Sequence, residues 1–383
     1  MKKILFLTGT RADYGKIKSL MRKVDNSPNL ELYIFVTGMH MLSTYGSTWK
    51  ELDKDGFQNK YHFVNQQQNS KMDMALSNTI LGLSNYVHEL KPDLIVVHGD
   101  RLEALGGAIV GAFNNIKVAH IEGGEVSGTI DESIRHSITK LSHIHFVSND
   151  EAKKRIIQLG EREESIFVIG SPDIDVMLSN DLPSIEQVKE RYEISFDQFS
   201  VLMYHPVTTQ VNMLQRNVQQ LIDALIESDG NYVVIYPNND EGSNIILNEY
   251  QRLNNNTRFK LFPSMRFEYF LTLLKHCDFI IGNSSAGIRE AGVYGVPSID
   301  IGTRQLGRYD TTKNQTITPV EESKESILKA IFKQDGLRVF SNEFGDGNSD
   351  DKFLAILEEG KIWDIDVQKR FIDYYYTGDK AYV

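Results

Sequence analysis

Short apolar runs rich in β-branched residues alternate with longer stretches of helical periodicity along almost the whole chain. In the first half, Ile4–Thr8, Tyr33–Thr37, Leu94–His98, Val118–Ile121, His145–Ser148 and Ile166–Ile169 read as strands. Between them, Lys16–Asn26, Met74–Leu90 and Glu132–Leu141 read as helices. This alternation predicts βαβ units on a parallel sheet with helices on both faces. Gly170-Ser-Pro closes the block, and a charged stretch with Ile185, Val188 and Tyr192 on one helical face reads as a connector. The pattern then restarts, with strands expected at Val201–Tyr204, Tyr232–Tyr236, Lys260–Phe262, Phe279–Ile281 and Ser298–Ile301.

The expected division is a first doubly wound α/β domain over 1–171 and a second over 172–363. A helical, aromatic-rich stretch at 364–383 crosses back onto the first domain. The Asn/Gly/Asp-rich run Asn342–Asp351 reads as a loop. In doubly wound sheets ligands collect at the carboxyl ends of the strands, and two facing sheets form a cleft.

Length agrees with two domains, since 383 residues is about two and a half times a usual single-domain allowance. A formal charge of −11, from 41 Lys+Arg against 52 Asp+Glu, argues against a general polyanion-binding surface, so no nucleic-acid partner is expected. The single cysteine, Cys277, excludes an intrachain disulfide and a Cys-rich zinc site. No apolar run approaches the roughly 20 residues of a membrane span. The opening MKKILFLTGT has only Ile4–Leu7 as its apolar stretch before Arg11 and Asp13, which suits a first strand better than a signal peptide. A soluble, cytoplasmic protein is expected.

Candidate chemistry concentrates between positions 98 and 145. Five of the ten histidines, His98, His120, His136, His143 and His145, fall there, interleaved with Asp100, Glu122, Glu125 and Asp131. Asp100 and Glu122 each follow a β-rich run and so stand at the carboxyl edge of the sheet. Asp131 ends a Gly-rich loop leading into the helix around Arg135 and His136. Converging carboxylates suit proton abstraction and return at carbon, although Asp131 also suits a plain helix N-cap. His143-x-His145 shares one strand face, as a metal pair would, but lacks further ligands at fixed spacing and reads as structural. No metal is expected.

A second region, Phe279-Ile-Ile-Gly-Asn-Ser-Ser-Ala-Gly-Ile-Arg-Glu-Ala, reads as a buried strand, a small-residue turn and a helix beginning near Ser285. Backbone N–H groups there, with the Ser284 and Ser285 hydroxyls, suit a diphosphate. Glu290 suits ribose hydroxyls. Thr8-Gly-Thr-Arg-Ala-Asp-Tyr-Gly lacks the GxGxxG spacing of dinucleotide folds, which counts against NAD or FAD, yet it places Arg11 at a βα turn where it can meet phosphate. His205-Pro206 and Pro237-Asn-Asn-Asp end two more strands. Together these segments outline a cleft for a nucleotide diphosphate carrying a reactive group.

Taken as a set, Gly9-Thr-Arg-Ala-Asp-Tyr-Gly-Lys, His98-Gly-Asp-Arg-Leu-Glu-Ala, His120-Ile-Glu-Gly-Gly-Glu, Asp131-Glu-Ser-Ile-Arg-His-Ser and Gly282-Asn-Ser-Ser-Ala-Gly-Ile-Arg-Glu closely resemble the hydrolysing UDP-N-acetylglucosamine 2-epimerases of bacterial sialic-acid biosynthesis. The likeness extends through Thr37-Gly-Met-His, Gly170-Ser-Pro-Asp, Phe267-Glu-Tyr-Phe and Gly302-Thr-Arg-Gln, and thins between about 305 and 360. It implies a GT-B-like fold, with two Rossmann-like domains, and conversion of UDP-GlcNAc and water into UDP and N-acetylmannosamine, with no cofactor. Elimination of UDP would give a 2-acetamidoglucal, to which water adds. By motif, Asp100, Glu122 and Asp131 become the catalytic carboxylates. Arg11, His205, Ser284, Ser285 and Glu290 become UDP contacts, with Asn238 and Arg304 beside them. Asp13, Arg101 and Gly282 belong to the same matching motifs and join the expected binding set. The family likeness suggests a homodimer or homotetramer. Three alternatives stay open at this point: a hydrolysing enzyme for a UDP-2,4-diacetamido sugar of legionaminic-acid synthesis, a non-hydrolysing epimerase, and a glycosyltransferase of the same fold.

Overall fold

The structure is a computed structural model, which describes all residues except 69, 128, 129, 310–315, 335, 342, 371 and 373–383. Seven strands form the first sheet: β1 (Lys2–Thr8), β2 (Leu30–Val36), β3 (Lys60–His62), β4 (Leu94–His98), β5 (Lys117–Ile121), β6 (Ile144–Val147) and β7 (Ile166–Val168). They are parallel throughout, in the order β3-β2-β1-β4-β5-β6-β7. Six more form the second sheet: β8 (Ser200–Met203), β9 (Tyr232–Ile235), β10 (Phe259–Phe262), β11 (Ile280–Gly282), β12 (Ser298–Ile301) and β13 (Ile317–Val320). Their order is β10-β9-β8-β11-β12-β13, again all parallel. The α/β architecture of two doubly wound units is the one expected from the sequence.

Two strands escape the sequence reading, and both lie at sheet edges. β3 is three residues long and polar, with Tyr61 and His62 exposed, so it carries almost no apolar signal. β13 contains Pro319, which a ladder tolerates at an edge because no inner neighbour needs its missing N–H.

The inner strands are apolar on both faces because both faces are covered. Ile4, Phe6, Leu94 and Val96 meet the helix Arg11–Asn26 through Ile17, Leu20 and Val24. The alternate residues Leu5, Leu7, Ile95 and Val97 meet the helices Met72–Leu90 and Leu102–Phe113 through Leu83, Val87 and Ala108. Each such fully buried aliphatic side chain stabilises the fold by about 1.5–3 kcal/mol. The second sheet repeats the plan. Leu202, Val234 and Ile281 face the helix Val211–Glu227, while Val201, Val233 and Ile280 face the helix Phe267–His276.

The chain returns to the first domain earlier than residue 364. The helix Ser349–Glu359 inserts Phe353 and Leu357 into the first-domain core, with the Phe353 ring 4.8 Å from Phe146 and 6.1 Å from Phe6. Residues 365–370 follow as irregular backbone. They are fastened by Val367 O to His143 Nε2 at 3.0 Å and by Lys369 Nζ to Glu161 at 2.6 Å. Of the remainder of the helix expected at 364–383, residues 371 and 373–383 lie outside the described residues. Among the described residues no helix is long and apolar enough to cross a membrane.

Strand order reverses between β1 and β4 in one sheet and between β8 and β11 in the other. A ligand crevice is expected at such switch points, and here the two face each other across one cleft. The two halves pack tightly at Gly15, where a Cβ would lie 2.4 Å from Phe267 Cβ.

Candidate active site

The cleft holds a cavity of about 290 Å³ whose lining comes from the loops after β1, β4 and β5 on one side and after β8, β9, β11 and β12 on the other. All thirteen residues expected at the site except Gly282 line it. Gly282 instead ends β11 at φ +135°, where a Cβ would meet Met203 O at 1.9 Å. Its place in the motif is therefore backbone geometry, which only glycine satisfies.

Asp100 follows β4 and is held by Arg135, with Arg308 Nη2 3.8 Å away. Burial alone would favour the neutral acid, but Arg135, Arg308, Arg304 and Arg101 together keep its carboxyl below the usual range. Asp131 lies within the first turn of the helix Ile130–Leu141, inside rather than at the cap position, and Arg304 Nη2 approaches it at 3.4 Å. Arg135 stands one turn further along and also donates to Glu125 O at 3.2 Å. These guanidinium groups crowd one end of the cleft. Burial and the neighbouring Arg135 push Arg308 down to about 10, despite Asp100. Excess positive charge of this kind favours an anionic ligand.

Glu122 follows β5 with φ +63°, a conformation uncommon for a residue with a side chain. It is buried, and both its oxygens are taken by Arg289 of the second domain at 2.6 and 2.7 Å. Ser171 also donates to it. Desolvation opposes the charge, yet Arg289 and His98 hold Glu122 ionised well below the ordinary carboxylate range.

Several expected ligand contacts are engaged within the protein. Arg11 pairs with Glu51 Oε1 at 2.8 Å and donates to Ser264 Oγ at 2.8 Å. Asp13 accepts from Thr8 Oγ1 at 2.8 Å and Gly9 N at 3.1 Å, and lies 2.7 Å from His98 Nδ1. Arg101 reaches across to Asn239 at 3.1 Å. Glu290 Oε1 pairs with Lys16 Nζ at 2.7 Å, while its buried Oε2 has no partner among the described residues.

On the opposite wall, Asn238 N donates to His205 Nδ1 at 3.1 Å, so Nδ1 is the acceptor and Nε2 carries the proton. Burial, with Arg304 and Arg101 nearby, keeps this ring neutral, its pKa well below the ordinary value. Ser284 Oγ accepts from Ala286 N at 3.3 Å. The helix expected from Ser285 is a 3-10 turn, Ser285–Gly287, followed by only the four residues Glu290–Val293. Gly287 packs where a Cβ would meet Ser298 Oγ at 2.5 Å, and this close approach to β12 keeps the segment a tight turn. The N–H groups of the turn stay near the cavity, but no long helix dipole supports them.

Arg135, Arg289, Arg308, Lys16 and His98 complete the site and were not singled out as site residues from the sequence. Lys16, His98, Arg135 and Arg289 sit inside the matching motifs, and only Arg308 lies outside them. The pair His143-x-His145 is engaged structurally: His143 Nδ1 accepts from Val118 N at 3.1 Å, and His145 Nε2 lies 3.2 Å from Glu161 Oε2.

Comparison with known proteins agrees with this geometry. The family model described as UDP-N-acetylglucosamine 2-epimerase matches residues 22–358. A UDP-N-acetylglucosamine 2-epimerase of Neisseria meningitidis serogroup B is 48% identical over 378 residues, covering 97% of this chain and 99% of that protein. A UDP-N,N'-diacetylbacillosamine 2-epimerase (hydrolyzing) of Legionella pneumophila is 32% identical over 366 residues, covering 94% of this chain and 96% of that protein. The crystal structure of the Methanocaldococcus jannaschii UDP-GlcNAc 2-epimerase with UDP-GlcNAc and UDP superposes with a TM-score of 0.81 at 23% identity, over 94% of this chain and all of that one. The GT-B-like fold is thus shared, and with a family model covering most of its length and a near-full-length relative at 48% identity, this chain belongs to the UDP-N-acetylglucosamine 2-epimerase family.

Proposed function

We propose that this protein is the hydrolysing form of the enzyme, converting UDP-N-acetylglucosamine and water into UDP and N-acetylmannosamine for sialic-acid biosynthesis. The observation that carries the reading is a single cavity with Asp100, Glu122 and Asp131 among arginines, facing His205 and Ser284. The arginines, the His205 Nε2–H and the Ser284 hydroxyl suit a departing diphosphate, and the free Glu290 Oε2 suits a ribose hydroxyl.

The C2 proton of the sugar is weakly acidic, so the C1–O bond must lengthen as that proton leaves. Its electron pair goes to the β-phosphate oxygen while the C2–H pair forms C1=C2. Asp100 takes the proton. Its basicity is held down by Arg135 and Arg308, and a diphosphate engaging these cations restores it. Glu122, held ionised, stabilises positive character at C1 and then directs water to it. As the water oxygen bonds to C1 its proton passes to Glu122, and Asp131 delivers a proton to C2 on the face opposite the one from which Asp100 removed it. Inversion requires removal and delivery on opposite faces, hence more than one group.

The Arg11-Ala-Asp13-Tyr14 turn supports the hydrolysing reading through its resemblance to that branch. A second reading, with a diacetamido sugar as substrate, is favoured by the Legionella relative; its 32% identity against 48% for the Neisseria protein places it second. Incubation with UDP-GlcNAc in D2O followed by proton NMR tests both. UDP with N-acetylmannosamine deuterated at C2 is the expected result. UDP-linked N-acetylmannosamine would refute hydrolysis, and inertness in a protein that binds UDP would refute UDP-GlcNAc as substrate.

A further inference from the structure

We propose that His98 is a positioning residue for Glu122, with Asp13 fixing the His98 ring, so that Asp13, His98 and Glu122 form one chain inside the first domain. The inference rests on the reading above only in taking Glu122 as a group that meets the sugar.

His98 Nδ1 lies 2.7 Å from Asp13 Oδ1, and His98 Nε2 lies 3.2 Å from Glu122 Oε2. The second contact is an ion-pair distance without well-formed hydrogen-bond geometry. Asp13 is itself immobilised: its Oδ2 accepts from Thr8 Oγ1 and Gly9 N, and Thr10 caps the helix that carries it. An Asp in the first turn is also favoured by the helix dipole. An acceptor on Nδ1 places a proton there, and a second carboxylate facing Nε2 favours a proton there as well. Burial opposes that charge, but Glu122 and Asp13 outweigh it and push His98 up to about 10.

The point of the arrangement is which domain each partner belongs to. Arg289, the other cation on Glu122, comes from the second domain, 167 residues further along the chain. Any parting of the two halves to admit a nucleotide sugar removes Arg289 from Glu122. His98 sits at the end of β4, whose register pairs His98 with Ile121, directly before Glu122. It therefore stays with Glu122 whichever way the domains move. The positive φ of Glu122 is the kind of local strain that surrounding contacts must hold in place. Asp13 also lines the cavity, and its contact with His98 gives it this second task.

A double-mutant cycle with Asp13→Asn and His98→Gln tests the chain of contacts, using whichever of the two UDP sugars the wild type consumes. Each single variant is expected to bind UDP within about threefold of wild type but to lose at least about tenfold in kcat, since misplacing a reacting group costs rate rather than nucleotide affinity. The double variant is expected to be no worse than the weaker single one, because residues acting as a unit are not additive. Wild-type kcat in either variant, multiplicative losses, or an equal loss of UDP affinity would overturn the proposal. A readout free of substrate is the nitrogen-15 NMR of the His98 ring at pH 8. Both ring nitrogens protonated in wild type, with one proton lost in Asp13→Asn, supports the chain; a neutral ring in wild type overturns it. Because this second measurement does not depend on turnover, a failed substrate assignment and a failed positioning role are told apart.

Discussion

Arg289 of the second domain grips both carboxylate oxygens of Glu122 in the first, Nη1 to Oε2 at 2.7 Å and Nη2 to Oε1 at 2.6 Å. Two parallel N–H···O bonds of this kind need a guanidinium. Removing one member of a buried pair strands the other and costs about 3–5 kcal/mol, which opening of the cleft would relieve. Arg289→Met is therefore expected to increase the radius of gyration in small-angle scattering and to lower kcat/KM at least about a hundredfold. A compact, fully active variant would show that the pair does not hold the domains closed.

Asp100 is the carboxylate most surrounded by cations, held by Arg135 and approached by Arg308. Asp100→Asn keeps the shape and removes the base. It is expected to retain UDP binding while losing turnover by at least about a hundredfold. Normal release of UDP by a correctly folded Asp100→Asn protein would transfer the base role elsewhere.

Stability should pass through a maximum near neutrality, for opposing reasons on its two sides. Burial holds His40, His120 and His143 neutral, at about 4, 3 and 4, below the ordinary 6.5. Below that ordinary value the unfolded chain binds more protons than the folded one, so their contribution is lost as pH falls toward 4. His98 behaves in the opposite sense: pushed up to about 10, it contributes fully below 6.5 and is lost as pH rises through its folded value. The urea midpoint of the wild type is expected to fall from pH 7 to pH 10, and to fall less in His98→Gln. Equal alkaline slopes would contradict the charged His98.

At Gly15 the helix of the first domain touches Phe267 of the second so closely that a Cβ would sit 2.4 Å from Phe267 Cβ. That atom adjoins the backbone and cannot swing aside. Gly15→Val is expected to leave each half folded but to hold the cleft apart, with overpacking on the order of 1–3 kcal/mol. Titration should show UDP binding at least about fivefold weaker, with circular dichroism unchanged. Wild-type affinity would mean that the contact yields.

The strand ends were the most legible part of the molecule. Asp100, Glu122, His205 and Ser284 all follow apolar runs, and in a doubly wound sheet the loops after such runs line the crevice. The edge strands β3 and β13 were hidden because Lys60-Tyr61-His62 is polar and β13 contains Pro319. The short helix after Ser285 was over-read, since close packing of Gly287 on Ser298 is not visible in a local pattern.

Local periodicity and turn chemistry are short-range properties, and what depends on them is written along the chain: two parallel α/β units, the carboxylates at strand ends, and the family through its motifs. Contacts between distant residues depend on how two units meet, and these emerge from the folded arrangement alone. It joined Glu122 to Arg289, Lys16 to Glu290 and Asp100 to Arg308 across the cleft. It also returned the helix Ser349–Glu359 to the first domain, where Phe353 fills space beside Phe6 and Phe146. Charge pairing and core filling are satisfied by proximity in space, which no window along the chain contains.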